Sequence, residues 1–159
     1  MGFPMIFAGT DSFRCFVTTQ EHGEVDRADH YVERAIAYIR SNYCNPIRVT
    51  DVADYVCVNR SYLYTLFKNA LGMSPQQFLT NYRVHKAMEL LRTTELPVES
   101  IALSCGYTDP LVFTKAFKHV KRISPSGYRK EVRTGEINKN QDYLKQIEGT
   151  LLLKGGTMM

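Results

Sequence analysis

The chain has 159 residues, of which 44% are hydrophobic, so it can form one domain with a core, and it contains no run of about 18 apolar residues that could span a membrane. Its net charge is +4, and residues 46–133 carry 13 Lys or Arg against 7 Asp or Glu, as expected of a segment that contacts phosphates. The four cysteines form no C-x-x-C pair, the four histidines have neither metal nor triad spacing, and there is no glycine-rich loop. We therefore expect a protein that binds no metal or cofactor and is not an enzyme.

The first predicted helix follows an N-terminal segment of 28 residues. That segment lacks the basic start and the cleavage pattern of a secretory signal, so we expect a cytoplasmic chain. Val32, Ala35, Ile36 and Ile39 then recur at helical spacing. Asn45-Pro46 ends this helix, because the residue before a proline disfavours the helical conformation.

An internal repeat with a period of about fifty residues comes next. Five features recur at an offset of 49 or 50 residues: Val52-Ala53 and Ile101-Ala102, Leu63 and Phe113, Phe67-Lys68 and Phe117-Lys118, Ser74-Pro75 and Ser124-Pro125, and Phe78 and Tyr128. One extra residue in the second copy, near Gly106-Tyr107-Thr108, accounts for the slip. Two copies of one supersecondary unit explain this pattern.

The first copy is predicted to contain two helices joined by a short turn. Thr50 can cap the first helix, and Asn59 can cap a second helix that ends at Gly72. The apolar positions of the two helices are Val52, Ala53, Val56, Leu63, Leu66, Phe67, Ala70 and Leu71. Two helices of this length on a short turn are typical of a helix-turn-helix.

A connecting helix is predicted between the copies. Ser74-Pro75-Gln76-Gln77 provides an N-cap, a proline at N1 and a glutamine at N3, which is a capping box. Helical spacing continues to about Arg92, and the segment from Thr93 to Pro97 breaks it. This helix of roughly 17 residues would be about 25 Å long and would act as a stiff spacer.

The second copy repeats the arrangement of the first. Gly106 breaks a short helix, and Asp109 caps the next helix with Pro110 at N1. The predicted buried side of that helix contains Val112, Phe113, Ala116, Phe117 and Val120. The whole pattern predicts an all-α fold with about seven helices, in which two helix-turn-helix subdomains are joined by a long connecting helix.

Four motifs occur in order at matching separations: Val58 to Lys68, Leu71 to Pro75, Gly106 to Lys118, and Ser124 to Arg129. Because of these four motifs, residues 29–131 resemble the C-terminal DNA-binding domain of AraC/XylS-type transcription regulators. The resemblance implies a sequence-specific regulator that inserts two recognition helices into adjacent major-groove segments of double-stranded DNA. RNA polymerase is a further expected partner.

Two departures from the family pattern lead to predictions. The family usually has glycine where this chain has Arg122, so we expect the second recognition helix to lack its glycine C-cap and to fray. Such regulators commonly carry an upstream effector domain, for which 28 residues are too few. We expect residues 1–28 to be a remnant or linker of an effector domain absent from this chain, residues 29–132 to bind DNA, and residues 133–159 to form a flexible or weakly helical tail.

A recognition helix packs one face on the core and offers the other to the major groove. That leaves the following candidates for DNA contact: Arg60, Ser61, Tyr64, Thr65 and Lys68 in the first unit, and Pro110, Leu111, Thr114, Lys115 and Lys118 in the second. Because the second set has fewer hydrogen-bonding groups, we expect the first helix to carry most of the sequence specificity. Thr50 is a candidate phosphate contact at a helix N-terminus, and Arg83 is either a phosphate ligand or a solvated side chain.

Two other classes of function stay open at this point. A protein-interaction module could retain the fold without binding DNA, with the segment from Ile137 to Leu153 either docking on a partner or forming a partly disordered terminus. An alkyl-transfer enzyme would need a zinc-bound four-cysteine site upstream, and only Cys15 precedes the first helix. DNA binding that weakens with salt would separate a DNA-binding protein from the protein-interaction module.

Overall fold

The computed structural model describes residues 24–135 of the chain, with side chains from residue 27 onward. Its described residues contain seven helices and no strand, which confirms the predicted all-α class for this part of the chain. The helices are α1 (Glu24–Asn42), α2 (Val49–Val56), α3 (Arg60–Leu71), α4 (Pro75–Thr93), α5 (Val98–Ser104), α6 (Pro110–Lys121) and α7 (Pro125–Thr134). The first 23 residues and those after residue 135, including the segment from Ile137 to Leu153, lie outside this range, so the roles expected for residues 1–28 and 133–159 stay predictions.

Two compact units divide between Leu79 and Thr80, a position within α4. In the first unit α1 packs against both α2 and α3. The buried face of α1 is the one predicted from helical spacing, and Leu63, Leu66 and Phe67 of α3 are buried as predicted. The ring of Phe67 meets that of Phe78 edge to face, with the centroids 5.8 Å apart.

The core of the second unit is built around α6. Phe113 and Phe117 are fully buried, and their ring centroids lie 5.8 Å apart. Tyr107 packs on Phe113 at 5.4 Å and Tyr128 of α7 packs on Phe117 at 5.7 Å, so four aromatic rings form a continuous chain. The guanidinium of Arg129 donates to the carbonyl oxygen of Leu96 at 2.6 Å and fixes the start of α5 against α7.

Side-chain caps set the starts of three helices as predicted. Asn59 Oδ1 accepts the backbone N–H of Tyr62 at 2.7 Å, which begins α3. Asp109 Oδ1 accepts the N–H of Leu111 at 2.8 Å, which begins α6. Ser74 and Gln77 form the reciprocal capping box at the start of α4, with hydrogen bonds of 3.1 and 2.9 Å.

The start of α2 differs from the prediction. Thr50 is not its cap, because α2 already begins at Val49 and the cap position is Arg48. Arg48 makes no side-chain cap hydrogen bond, and the side-chain hydrogen bond at this start is the other half of a capping box: Asp51 Oδ2 accepts the backbone N–H of Arg48 at 2.7 Å. Thr50 therefore lies in the first turn of the helix as an exposed residue.

The prediction that the end of α6 frays is wrong. Arg122 adopts the left-handed conformation, with φ 65° and ψ 8°, and its N–H donates to the carbonyl oxygen of Lys118 at 2.8 Å. The same geometry occurs at Gly72, with φ 71° and ψ 7°, where the N–H donates to the carbonyl oxygen of Lys68 at 3.0 Å. Both helices thus end in the same αL cap, although an L side chain there costs about 1–2 kcal/mol.

Candidate nucleic-acid interface

The α3 helix of the first unit has two chemically different faces. Leu63, Leu66 and Phe67 attach one face to the core. The other face carries all five residues predicted for DNA contact, and each of them is exposed: Arg60, Ser61, Tyr64, Thr65 and Lys68. The helix therefore presents a continuous polar surface on a scaffold that is fixed from behind.

Two contacts organise this polar face. The Lys68 ammonium lies 5.8 Å from the centroid of the Tyr64 ring, within the range of a cation–π interaction. Thr65 Oγ1 donates to the carbonyl oxygen of Ser61 at 3.2 Å, so its oxygen lone pairs and its methyl group face outward from that bond. The phenol of Tyr64, which is 48% exposed, is left as an uncharged donor and acceptor on the face.

A groove in the first unit brings together the N-terminal residues of α2, α3 and α4. Its lining comprises Arg48, Val49, Thr50, Arg60, Ser61, Tyr64, Thr65, Ser74, Pro75 and Gln76. Helix N-termini carry partial positive charge, and two arginines add full charges beside them. Arg48 and Gln76 were not among the predicted contacts, and their positions at or beside predicted helix starts are the signal that could have identified them.

The α6 helix of the second unit presents a more apolar surface. Lys115 and Lys118 are exposed and Pro110 and Thr114 are half-buried, while Leu111 is 72% exposed. Thr114 Oγ1 donates to the carbonyl oxygen of Pro110 at 2.9 Å. All five predicted contacts thus lie on α6 with accessible atoms, but only the two lysines carry charge.

Val112 and Arg83 are not placed as the sequence predicted. Val112 was assigned to the buried side of α6 but is 52% exposed, because the side that faces the core is the one with Phe113 and Phe117 buried and Val120 packed beside them. Arg83 is only 7% exposed, and its guanidinium lies 5.4 Å from the centroid of the Tyr107 ring. Arg83 is therefore neither a solvated side chain nor well placed to reach a phosphate, and we leave it out of the contact set.

The part of the chain that the structure describes holds no cluster of three or more His, Cys, Asp or Glu that could bind a metal ion. Among the same residues, no helix is both long and apolar enough to cross a membrane.

Comparisons with known proteins bear on this arrangement of helices. A family model described as a helix-turn-helix domain matches residues 52–131, which is half of the chain. Among curated proteins, the chain is similar to the raffinose operon transcriptional regulatory protein RafR of Pediococcus pentosaceus, with 43% identity over 98 residues that cover 62% of this chain and 35% of that protein.

Solved structures give the same result. The C-terminal domain of AraT, a response regulator from Geobacillus stearothermophilus, matches with a TM-score of 0.62 and 37% identity, covering 70% of this chain and 91% of that one. The DNA-binding domain of the global transcriptional factor AdpA, in complex with a target DNA, matches with a TM-score of 0.62 and 25% identity, covering 70% and 97%. The chain spans 35–38% of the length of the curated relatives it matches. The chain belongs to the AraC-type helix-turn-helix family.

Proposed function

We propose that this protein is a transcription regulator that binds double-stranded DNA sequence-specifically, with α3 and α6 as recognition helices in adjacent major-groove segments. The observation that carries the proposal is the division of α3 into a buried apolar face and an exposed polar face. A helix fixed in this way can enter the major groove without losing its packing.

The side chains of α3 suit direct readout of bases. Ser61 can donate to or accept from base edges, Thr65 can accept through its oxygen lone pairs, and the Tyr64 phenol can donate or accept. Arg60 and Lys68 supply cations for a guanine edge or for the phosphates on either side of the groove. We therefore assign most of the sequence specificity to α3.

Contacts with the DNA backbone are proposed for the groove at the start of α3. Thr50, at the first turn of α2, and Arg48, at its cap, lie in the same groove as Arg60 and Gln76. Anionic groups bind favourably at helix N-termini, and arginine adds a charge-assisted hydrogen bond. Phosphate contacts here would position α3 without reading sequence.

The second unit supports a second contact on the duplex. Its α5, α6 and α7 follow the pattern of α2, α3 and the start of α4, with corresponding caps at Asn59 and Asp109. Lys115 and Lys118 provide positive charge on the exposed face of α6. Because the two helices carry different side chains, the operator should be asymmetric, with two contact segments about 34 Å apart.

The proposed cellular role is control of an operon. The relative from Pediococcus pentosaceus is a raffinose operon regulatory protein, and a further relative, from Staphylococcus xylosus, is a lactose operon transcription activator. These relatives support a role in transcription regulation for this chain. RNA polymerase is a second proposed partner. The particular sugars are not carried over to this chain.

Selection of duplexes from a random pool tests the proposal, followed by affinity measurements on the selected and a scrambled site. Tyr64→Ala should weaken binding to the selected site by about 5- to 140-fold, the equivalent of 1–3 kcal/mol, with a much smaller effect on scrambled DNA.

Tyr62→Ala is the matched control. Tyr62 lies on the same helix and is 43% exposed, but its ring packs edge to face on Tyr31 of α1, at 6.3 Å. The Tyr62→Ala variant should leave the ratio of the affinities for the selected and the scrambled site unchanged. A pool that yields no enriched sequence would contradict the proposed function, and equal losses on selected and scrambled DNA would contradict base readout by Tyr64.

A further inference from the structure

We infer that the first turn of α6 recognises thymine through its C5-methyl group, an inference that rests on the proposed function. We call Pro110, Leu111 and Thr114 the α6 tip. The tip is the part of the recognition helix that comes closest to base edges when the helix lies in a major groove by its N-terminal end.

The hydrogen-bond donors of the α6 tip are already engaged. Pro110 has no N–H, and the Leu111 N–H donates to Asp109 Oδ1 at 2.8 Å. The Thr114 hydroxyl donates to the carbonyl oxygen of Pro110 at 2.9 Å, so its proton is directed back into the helix. What the tip offers outward is mainly hydrocarbon: the Leu111 side chain, the proline ring and the Thr114 methyl group.

Exposure makes Leu111 the leading group of this surface. At 72% it is the most exposed of the large hydrophobic residues among those described, and it lies on the helix that the fold assigns to recognition. Removing such a side chain from water is favourable, at about 25 cal/mol for each Å² buried. The side chain therefore gains most from a partner that is itself apolar.

The internal repeat allows the residues of the α6 tip to be compared with those at corresponding positions of α3. At the offset of 50 residues, Leu111 occupies the position of Ser61 and Thr114 that of Tyr64. The first unit thus has two hydroxyl groups where the second has a leucine and a threonine with an engaged hydroxyl proton. The two helices should select different base chemistry at corresponding positions.

Thymine is the base that fits the α6 tip. The major-groove edges of adenine, guanine and cytosine present hydrogen-bond donors and acceptors, and thymine alone adds a methyl group. A leucine over a cytosine amino group would leave a desolvated donor without an acceptor, which is unfavourable. The half of the operator bound by α6 should therefore contain at least one required thymine.

The test uses the full chain and the site selected from a random pool. Each thymine is replaced in turn by deoxyuridine, which removes only the methyl group and keeps Watson–Crick pairing. At a thymine contacted by the α6 tip, the affinity should fall about fourfold, as expected for the transfer of one methyl-sized group. Thymines elsewhere in the site report contacts of other helices.

Leu111→Ala identifies which of these losses belongs to the α6 tip. In that variant the deoxyuridine effect should disappear at the α6 position and persist at all others. Leu103→Ala is the matched control, because Leu103 is 59% exposed but lies on α5, and it should retain the full deoxyuridine effect. Thermal melting of both variants checks that each remains folded.

The outcomes separate the inference from the proposed function. A selected site in which no deoxyuridine effect depends on Leu111 would overturn methyl recognition by the α6 tip and leave sequence-specific binding intact. A selected site without thymine in the half protected by α6 would also overturn methyl recognition and leave sequence-specific binding intact. Failure to select any site would overturn both.

Discussion

Replacing Arg122 with glycine should stabilise the second unit, although the substitution removes a side chain and adds no contact. Arg122 ends α6 with φ 65°, a conformation that L residues adopt at a cost of about 1–2 kcal/mol. Glycine has no Cβ and adopts it without that cost. The αL cap and its hydrogen bond to Lys118 would be unchanged.

The expected gain in the free energy of unfolding is smaller than the energetic cost of the left-handed backbone at Arg122. Glycine gives the unfolded chain more conformational freedom, and this offsets about 0.4–1 kcal/mol of the stabilisation gained by removing the strain. The net increase in the free energy of unfolding should be about 0.5–1 kcal/mol. For a unit of this size, that is a rise of roughly 2–8 °C in the melting temperature.

Urea and thermal unfolding of three variants separate backbone strain from the loss of the arginine charge. Arg122→Ala removes the guanidinium, which is favourable at a helix C-terminus, but keeps Cβ and hence the strain. Arg122→Gly should be more stable than Arg122→Ala by about 1 kcal/mol. Gly72→Ala in the first unit is the reverse experiment: a Cβ there would meet nothing within 4 Å, so its expected cost of about 1 kcal/mol comes from φ alone.

A glycine variant at position 122 that unfolds more easily than the alanine variant would refute this reasoning. It would mean that the left-handed cap is not the conformation of Arg122 in the folded protein.

Three further predictions concern the core, the charge and the buried tyrosines. Phe67→Ala should lower the free energy of unfolding by about 3–5 kcal/mol through a core cavity, measured by urea unfolding, and an unchanged midpoint would contradict the assigned core. The logarithm of the DNA affinity should fall with the logarithm of salt concentration by about 0.9 per phosphate contacted, and a flat line in a salt titration would argue against DNA binding. Burial raises the pKa values of Tyr107 and Tyr128 above the usual 10.0. The unfolded chain therefore ionises first at these two tyrosines, so their contribution to stability should be constant below about pH 10 and fall above it; Tyr128→Phe should weaken this fall.

Local hydrogen bonding explains why the helix starts could be predicted. An asparagine or aspartate before a helix accepts an N–H two or three residues later, and that depends on little beyond the neighbouring chain. Asn59, Asp109 and the Ser74–Gln77 box follow this rule. The start of α2 does not follow it, because the cap residue Arg48 makes no side-chain cap hydrogen bond, and the side-chain hydrogen bond there is made by Asp51 at N3, which accepts the N–H of Arg48.

Contacts between distant residues explain what the sequence did not reveal. Arg83 resembles a surface arginine on the connecting helix, and only the folded chain brings Tyr107 beneath its guanidinium. Arg122 shows the same limit: local preference predicted a frayed end, whereas the left-handed cap occurs just before the next helix begins at Pro125. Val112 fits the apolar spacing of α6, yet the side of the helix that faces the core holds Phe113 and Phe117, and Val112 is left 52% exposed.

The polar face of α3 was predictable because helical periodicity assigns Leu63, Leu66 and Phe67 inward and so fixes what remains outside. The groove at the start of α3 was only half predictable. Thr50 was identified from its place in a short helix, but the convergence of α2, α3 and α4 depends on how the three helices pack. Arg48 and Gln76 lie at or beside predicted helix starts, but only that packing brings them into one groove.

The measurement that tests the two-helix account most directly is hydroxyl-radical footprinting of the selected operator, followed by insertion of five base pairs between the protected segments. Binding by both α3 and α6 should give two protected patches about one helical turn apart. The insertion turns one patch to the opposite face of the duplex, so the affinity should fall to that of a single contacting unit and one patch should be lost. An affinity that is unchanged by the insertion would contradict the account, because only one of α3 and α6 would then read DNA.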